Sequence, residues 1–235
     1  MKSNKSSLII FVFVLTIILG FSVVASAAED SKNVRRVALT FDDGPSPIYT
    51  PRILDILKKN DVKATFFVLG KCVKLFPDVL RRIYKEGHLI GNHTYHHKRL
   101  TIISSKEIEK EIYDTERKIK EVICENNPNC DFEPPKFMRP PYGAKNAKVK
   151  EVVKSMGYKL VLWNTGSDDC YIVNHKLGFH KIVETIFSQK RRHKEIVLMH
   201  DSGGNRTYDV KALPYIIQEY KKRNYEFVTV DEFYK

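Results

Sequence analysis

The chain has 235 residues, with 40 Lys and Arg against 28 Asp and Glu, and its formal net charge is +12. The 43% apolar and 29% charged residues are typical of a globular domain and exclude a disordered chain, a collagen and a multi-span membrane protein. Four cysteines are too few for a small disulfide-held scaffold, so a hydrophobic core must supply most of the stability.

The first 27 residues have the pattern of a secretory signal peptide. A basic start precedes an apolar run from Leu8 to Val24, and the small residues Ala25-Ser26-Ala27 follow it. The run of 17 residues is just shorter than the roughly 20 that span a bilayer. An uncleaved N-terminal anchor is the alternative, and in both cases the remainder is exported. We expect a short linker at 28–35 and one domain at 36–235 that is secreted or held at the cell wall or membrane surface.

Charge favours an anionic surface as the partner. The leader contains Lys2 and Lys5 but no acidic residue, so the mature chain carries about +10, which suits a cell wall. Nucleic acid is the alternative, but Lys and Arg are spread over every predicted helix, and the only dense basic run is Lys190–Lys194. We therefore predict no nucleic-acid partner, and contact with a membrane only if the leader is retained.

Short β-rich segments alternate with amphipathic ones after the leader. The strand candidates are Val37–Thr40, Ala64–Val68, His88–Gly91, Phe137–Arg139, Lys159–Trp163, Ile196–Met199 and Glu226–Val230. The helix candidates are Ser104–Ile123, which begins with a capping box of Ser104 and Glu107, and residues 75–85, 146–156, 178–190 and 208–222. This alternation predicts a parallel sheet covered by helices, either a barrel or an open doubly wound sheet.

Titratable residues follow five of these strands. They are Asp42 and Asp43 after the first strand, His93 and His97 after the third, Arg139 at the end of the fourth, Asp169 beyond the fifth and His200 at the end of the sixth. The carboxyl ends of parallel strands form one face, where active sites lie, so we expect these side chains to meet. No Gly-x-Gly-x-x-Gly follows the first strand, which argues against a dinucleotide site.

Two segments predict a metal site. His93 and His97 are four residues apart, so a helical turn would direct both imidazoles to one ion, although structural histidines are the alternative and spacing does not exclude His96. Of the adjacent Asp42 and Asp43, one can bind the ion while the other takes a proton, and a simple polar turn is the alternative.

These segments, in this order, resemble the polysaccharide deacetylases of carbohydrate esterase family 4, which share the NodB homology domain. The similar segments are Thr40–Pro45, His93–His97, Arg139–Tyr142 and Leu198–His200, within a region from about Arg36 to Val230. The resemblance implies a distorted (β/α)7 barrel in a single domain, and hydrolysis of the N-acetyl groups on N-acetylhexosamine residues of a glycan.

The resemblance also implies the metal ligands and the base. Asp43, His93 and His97 would hold one divalent metal ion, Zn²⁺ or alternatively Co²⁺, and leave positions open for water and substrate. Asp42 would be the general base, and Arg139 would keep it oriented and ionised.

On the other side of the substrate, the resemblance implies an acid and two binding groups. His200 would protonate the departing amine, with Asp169 stabilising its imidazolium. The backbone N–H of Tyr142 would stabilise the oxyanion, and Leu198 would line the pocket for the acetyl methyl group.

The fourth motif departs from the family pattern of Asp-x-x-Asp-Trp. This chain has Gly166-Ser167-Asp168-Asp169-Cys170 there, so the second carboxylate is retained as Asp169, with Asp168 as a competing candidate. Gly166 lacks the first carboxylate, and Cys170 replaces an aromatic wall of the substrate groove.

The cysteines predict two disulfides. Cys124 and Cys130 flank a turn-like loop that a disulfide closes easily. Cys72 follows the second strand at the same face as Cys170, and we predict that this pair forms a disulfide that stiffens the rim, the alternative being two free thiols. No pair has the short spacing of a zinc site.

The sequence therefore predicts an exported, metal-dependent N-deacetylase that acts on N-acetylglucosamine residues of a glycan polymer, with peptidoglycan as the leading substrate. The alternatives are a deacetylase of chitin or of poly-N-acetylglucosamine, an O-acetyl xylan esterase, and a wall-binding protein that keeps the barrel but has lost turnover. The changes at Gly166 and Cys170 motivate the last of these.

Overall fold

One curled sheet organises the part of the chain that this computed structural model describes, residues 34–125 and 127–235. Its eight strands are β1 (Arg35–Asp42), β2 (Thr65–Val68), β3 (Leu89–Asn92), β4 (Phe137–Met138), β5 (Lys159–Leu160), β6 (Thr165–Gly166), β7 (Lys194–His200) and β8 (Tyr225–Phe227). They are ordered β5-β4-β3-β2-β1-β7-β6, and β8 also pairs with β1. The predicted leader at 1–27 lies outside the described residues.

Nine α-helices surround the sheet within the same described ranges. They are α1 (Tyr49–Asn60), α2 (Gly70–Leu75), α3 (Pro77–Lys85), α4 (Ser105–Ile123), α5 (Ala147–Ser155), α6 (Asp169–Asn174), α7 (Phe179–Ser188), α8 (Thr207–Lys222) and α9 (Val230–Phe233). None of these helices is long and apolar enough to cross a bilayer.

The central strand β1 explains why the sheet holds together. Its neighbours β2 and β7 both run parallel to it, and its apolar side chains divide between two faces. Leu39 and Phe41 pack in the larger core with residues of α1, α3 and α8, whereas Ala38 packs in a smaller cluster with Phe67 and Val161. Burial on both faces is what a parallel sheet covered by helices requires, and it accounts for the nearly continuous apolar sequence of β1.

The predicted distorted (β/α)7 barrel is confirmed as a curled parallel half-barrel in a single domain. The predicted strand Lys159–Trp163, however, is wrong in extent. It ends at Leu160, and the chain then crosses from one edge of the sheet to the other. The N–H of Val161 still donates to Met138 O (2.8 Å), while the N–H of Asn164 donates to Ile196 O (3.2 Å). The predicted strand is therefore the edge strand β5 alone, and the opposite edge strand β6 was not predicted.

Several other elements differ from the prediction. The helix predicted at 75–85 is α3, which begins at Pro77, a position where the missing N–H of proline costs no hydrogen bond. Helices α1, α2 and α6 were not predicted. The last strand ends at Phe227, and Val230 begins α9 behind the capping residue Thr229. The capping box of Ser104 and Glu107 is present at the start of α4.

The disulfide between Cys124 and Cys130 is present at the end of α4. Cys72 and Cys170 are free, so the predicted pairing between them is wrong. The thiol of Cys170 contacts His200 and Arg206, whereas Cys72 is buried in α2 beside a different cavity, which Lys71 and Ser202 also line.

At the start of β7, Glu195 joins several elements in the core. This carboxylate is fully buried and accepts hydrogen bonds from the hydroxyl of Tyr220 (2.7 Å) and the N–H of Arg192 (2.9 Å). The guanidinium of Arg191 donates to it at 3.0 Å, and the hydroxyl of Tyr225 lies 3.1 Å from its second oxygen. The network ties β7 to α8 and β8 at the end of the strand far from His200.

We expect Glu195→Ala to lower the free energy of unfolding by about 3 kcal/mol or more, because it leaves the half-buried guanidinium of Arg191 and the buried hydroxyl of Tyr220 without this acceptor. For a domain of this size the unfolding temperature should then fall by roughly 6–12 °C in a thermal melt. Glu226→Ala is the matched control, since the ion pair between Glu226 and Arg36 is open to solvent and is worth about 0–1 kcal/mol. Equal shifts in the two variants would contradict the structural role of Glu195.

Candidate active site

The carboxyl ends of the parallel strands bring the predicted site residues to one face. Asp42 on β1 is the register partner of His200 on β7, and Asn92 on β3 is the partner of Met138 on β4, so His93 and Arg139 follow at the same level. An open cavity of about 420 Å³ lies at this face. The predicted residues that line it are Asp42, Asp43, His93, His97, Tyr142, Leu198 and His200. Arg139 and Asp169 are buried behind it.

Asp43, His93 and His97 converge as a set of ligand atoms. The Oδ1 atom of Asp43 lies 3.5 Å from Nε2 of His93 and 3.2 Å from Nε2 of His97. A tetrahedral ion with bonds of about 2.0–2.1 Å separates neighbouring ligand atoms by roughly 3.3 Å, so these spacings fit a zinc-sized cation. Asp43 Oδ1 is also buried without a hydrogen-bond partner among the described residues, which is costly unless a cation neutralises it.

The protonation states suit metal binding. Burial alone would raise the pKa of Asp43, but the contact with His93 and the nearby imidazoles of His200 and His97 lower it to about 2. The Nδ1 atom of His93 lies 2.8 Å from the carbonyl oxygen of Arg139, to which it can only donate. His93 therefore carries its proton on Nδ1 and turns the lone pair of Nε2 towards Asp43, an arrangement typical of a ligating histidine.

The loop from His93 to His97 is not the helical turn that the spacing predicted. Thr94 and His97 have left-handed backbone angles (φ 71° and 65°), and these bends turn the second imidazole back to Asp43. Glu111 on α4 accepts hydrogen bonds from the N–H groups of Tyr95 (3.0 Å) and His96 (2.7 Å). The ring of His96 also lies 2.9 Å from Glu111, so it points away from the ligand set.

Sequence reasoning missed Glu111, although a signal was available. Glu111 is three residues after Ile108 and four residues before Thr115, so it lies on the same buried stripe of α4 as these residues and Ile112. Only 4% of its surface is exposed. An acid on the apolar face of a helix needs a partner in the fold, and here that partner is the loop from His93 to His97.

Asp42 is held by a buried arginine. The Nη1 atom of Arg139 donates to Asp42 Oδ1 (2.7 Å) and to the hydroxyl of Thr40 (2.8 Å), and the guanidinium lies 4.2 Å from the ring centre of Phe67. Arg139 is fully buried and Asp42 is 3% exposed. The second oxygen of Asp42 lies 3.8 Å from His93 Nε2, on the side of the ligand set.

His200 faces the cavity from the opposite side. Its Nδ1 atom donates to Asp169 Oδ2 (2.8 Å), which leaves Nε2 free to face a substrate. Burial would lower the pKa of His200, but the Asp169 carboxylate raises it well above its usual range. The structure thus places Asp169 beside His200, whereas the competing candidate Asp168 is exposed.

Behind Asp169 lies a second carboxyl group that the sequence did not indicate. Asp209 on α8 is fully buried, and neither of its oxygens has a donor among the described residues. Burial and the adjacent Asp169 anion raise the pKa of Asp209 well above its usual range, which favours its neutral form. Arg206 lies on the other side, with its Nη1 3.8 Å from Asp169 Oδ2.

Tyr142 and Leu198 complete the walls of the cavity. Tyr142 has a left-handed backbone (φ 62°), and its exposed ring packs edge-on against His97 at 4.6 Å and under the guanidinium of Arg99. Leu198, two residues before His200 on the same face of β7, provides an apolar surface between the two sides.

A family model described as Polysaccharide deacetylase matches residues 29–161, more than half of the chain. The chain belongs to the polysaccharide deacetylase family. A peptidoglycan-N-acetylglucosamine deacetylase of Bacillus cereus is 37% identical over 204 residues, which cover 87% of this chain and 90% of the relative. The family resemblance seen in the sequence is thereby confirmed, and the chain is a hydrolase of this family.

Two further relatives show the range of the family. The peptidoglycan-N-acetylmuramic acid deacetylase PdaC of Bacillus subtilis is 37% identical over 200 residues, which cover 85% of this chain but only 39% of that protein. The solved structure of the Bc1960 peptidoglycan N-acetylglucosamine deacetylase, bound to a hydroxamate-type benzamide, superposes with a TM-score of 0.76 at 34% identity, over 86% of this chain and 88% of that one.

Gly44, next to Asp43 in the chain, is closely packed at this face. A Cβ atom on Gly44 would lie 2.1 Å from Oδ2 of Asp201, a buried carboxyl group that accepts a hydrogen bond from Thr50 (2.5 Å). Burial raises the pKa of Asp201 to about 7. At this separation the backbone or the buried Asp201 side chain must shift to admit a methyl group.

We expect Gly44→Ala to lower the free energy of unfolding by about 2 kcal/mol or more through this overlap, and the unfolding temperature by about 5 °C or more. Gly166→Ala is the control, because its Cβ would meet only Asp168 at 3.6 Å and Trp163 at 3.9 Å, which is ordinary contact. Thermal melts that show no difference between the two variants would contradict the close packing at Gly44.

Proposed function

We propose that the protein is exported and removes N-acetyl groups from N-acetylglucosamine residues of peptidoglycan with the help of one divalent metal ion. The observation that carries this proposal is the arrangement of Asp42 and His200. These residues are register partners on β1 and β7, and they flank the ligand set of Asp43, His93 and His97. A base and an acid on opposite sides of a cation site are what amide hydrolysis requires.

The metal would be held by Asp43, His93 and His97. One carboxylate oxygen and two imidazole nitrogens are a donor set that zinc accepts, with cobalt as the alternative. A divalent ion bound there lowers the pKa of a water molecule and polarises the carbonyl of the amide. The buried, unpartnered oxygen of Asp43 supports this assignment.

Asp42 would take the proton of the attacking water. The Arg139 guanidinium, 2.7 Å from Oδ1, keeps this carboxylate in place, and Oδ2 remains available on the side of the ligand set. Because Arg139 is fully buried, its charge is little screened by solvent, and this strengthens its attraction for the Asp42 carboxylate.

His200 would supply the proton that the leaving nitrogen needs. An amine departs from a tetrahedral intermediate only when it is protonated, and a positioned acid contributes about 10²–10⁴-fold to such a step. The Asp169 carboxylate raises the pKa of His200 and so favours its protonated form, and it leaves Nε2 to face the substrate. The N–H of Tyr142 would stabilise the oxyanion, and Leu198 would contact the acetyl methyl group.

Peptidoglycan is proposed as the substrate on two grounds. The relatives that cover most of both chains act on peptidoglycan N-acetylglucosamine by name. A signal peptide at 1–27 and a net charge of about +10 after its removal suit an anionic cell wall. The mature protein would be secreted or remain associated with the wall.

The test is acetate release by the chain from Ala28 onward. We expect release from peptidoglycan, loss of activity on chelation, and recovery with Zn²⁺ or Co²⁺. Mass spectrometry of the digested glycan should locate the free amine on glucosamine. Release from chitopentaose alone or from acetylated xylan alone would indicate the corresponding alternative substrate, and no release from any of the three would favour a wall-binding protein.

Asp42→Asn should reduce kcat by roughly 10²–10⁴-fold, because the amide keeps the shape of the carboxylate but cannot accept a proton. The exposed Asp168→Asn at the rim is the control and should stay within about twofold of the wild type. Metal content should be unchanged in both variants, as measured by elemental analysis. A similar loss in both variants would argue against Asp42 as the base.

Asp169→Asn should move the alkaline limb of the kcat profile to lower pH. The acid must be protonated to act, and the Asp169 anion raises the pKa of His200. Without that anion, His200 loses its proton at a lower pH, so activity is lost earlier as pH rises. A pH profile of kcat for Asp169→Asn beside Asp168→Asn measures this, and an unchanged alkaline limb would contradict the pairing.

A further inference from the structure

Cys170 occupies an unusual chemical position at the rim of the cavity. It is the second residue of α6, its side chain is exposed, and it lines the cavity on the side of His200. The Nη1 atom of Arg206 lies 3.3 Å from its sulfur, and Nδ1 of His200 lies 3.8 Å away.

Arg206 is fixed against this sulfur. Only 4% of its surface is exposed, its Nε donates to the carbonyl of Ser202 (2.6 Å), and its Nη2 donates to the carbonyl of Gly203 (3.3 Å). A guanidinium anchored in this way cannot turn away from the thiol. It therefore presents a permanent positive charge to an exposed cysteine, which is the environment that favours a reactive thiolate.

The charges around Cys170 favour its thiolate on balance. Partial burial and the Asp169 anion raise the pKa of this thiol, while the His200 contact and the Arg206 charge lower it, and the net shift is downward. These are the charged and titratable groups that face the sulfur from α6, β7 and the segment before α8.

Cys72 provides the contrast within the same chain. It is 9% exposed in α2, and burial raises the pKa of its thiol to about 11. At neutral pH it therefore holds at least a hundredfold less thiolate than an ordinary cysteine of pKa about 8.5.

We propose that Cys170 is a site of covalent modification by hydroperoxides, and that its oxidised form obstructs the cavity beside His200. The thiolate attacks the terminal oxygen of the hydroperoxide, so that an S–O bond forms and the O–O bond breaks. The departing hydroxide or alkoxide takes the electron pair and then a proton from water. Sulfur is oxidised by two electrons to a sulfenic acid, and the hydroperoxide is reduced to water or an alcohol.

Oxidation would act on the acid side of the site. The new oxygen stands beside Arg206 and His200, in the part of the cavity where the leaving amine must receive its proton. The modification itself does not depend on the proposed function, whereas the inhibition that it causes rests on it. The labelling experiment therefore measures the thiol directly, and the activity experiment measures the consequence.

The first test compares the two thiols in the wild-type chain from Ala28 onward, loaded with redox-inert Zn²⁺. Brief treatment with iodoacetamide at pH 7, followed by peptide mass spectrometry, should alkylate Cys170 at least about tenfold faster than Cys72. The difference in thiolate fraction is larger than that, but a less basic thiolate is also less nucleophilic. Hydrogen peroxide with dimedone should place the sulfenic-acid adduct on Cys170. Equal rates, or an adduct chiefly on Cys72, would overturn the proposal.

The second test removes the positive charge. Arg206→Gln should slow the alkylation of Cys170 several-fold, while Arg206→Lys, which keeps the charge, should restore most of the rate. Thermal melts check that both variants are folded, and the wild-type comparison of the two thiols decides the matter if either is not. Alkylation of Arg206→Gln as fast as the wild type would show that Arg206 does not activate the thiol.

The third test measures acetate release before and after peroxide, each variant relative to its own untreated sample. The wild type and Cys72→Ser should lose most of their activity and regain it with dithiothreitol, whereas Cys170→Ser should keep most of its own. Equal losses in Cys170→Ser and the wild type would overturn the inhibitory role. Absence of acetate release in the untreated wild type would instead count against the proposed function and leave the labelling result standing.

Discussion

Arg139 fixes the positions of Asp42 and His93 relative to each other. Its side chain fixes the carboxylate of Asp42 at 2.7 Å, its carbonyl accepts the Nδ1 proton of His93 at 2.8 Å, and its N–H donates to the carbonyl of Asn92 at 3.0 Å. A single residue at the end of β4 therefore sets the position of Asp42 on β1 and the tautomer of His93 after β3. Because the guanidinium is fully buried, removing Asp42 would leave a charge without its partner, and this couples the stability of the sheet to the integrity of the site.

Two other parts of the site, the loop from His93 to His97 and the pair of Asp169 and His200, are each supported by a buried acidic residue on a helix. Glu111 on α4 holds the backbone of the ligand loop, and Asp209 on α8 stabilises the Asp169 anion beside His200. The two supports differ in protonation. The pKa of Glu111 is lowered because, although burial opposes ionisation, its hydrogen bonds with His96 favour the anion, so it acts as an acceptor. The pKa of Asp209 is raised, because burial and the adjacent Asp169 anion both oppose its ionisation, so its neutral form is favoured. Helices packed on the outside of the sheet thus determine geometry and charge at its carboxyl edge.

Residues at the ends of strands could be predicted from the sequence, because alternation locates a parallel strand and its carboxyl end defines one face. That reasoning located Asp42, Asp43, His93 and His200. It did not predict the supports Glu111 and Asp209, since each lies on the buried face of a helix and its partner is distant in sequence. The path from His93 to His97 was predicted as a helix from spacing alone, whereas two left-handed residues form it. The crossing after Leu160 was also missed, because a continuous β-rich segment does not reveal which neighbour each N–H will find.

The register between β1 and β7 separates the chemistry from the recognition of the polymer. The backbone ladder places Asp42 and His200, the proposed base and acid, on adjacent strands, which in a sheet lie about 4.8 Å apart, and no side-chain exchange alters that interval. In the proposed reaction this interval would serve one acylated nitrogen, and it does not depend on which glycan carries that nitrogen. The groups that would meet the rest of a sugar chain, such as Tyr142 and Arg99, stand on connecting segments outside the ladder. Lineages could therefore exchange one glycan for another by altering these connections alone, while inheriting the same hydrolytic apparatus intact.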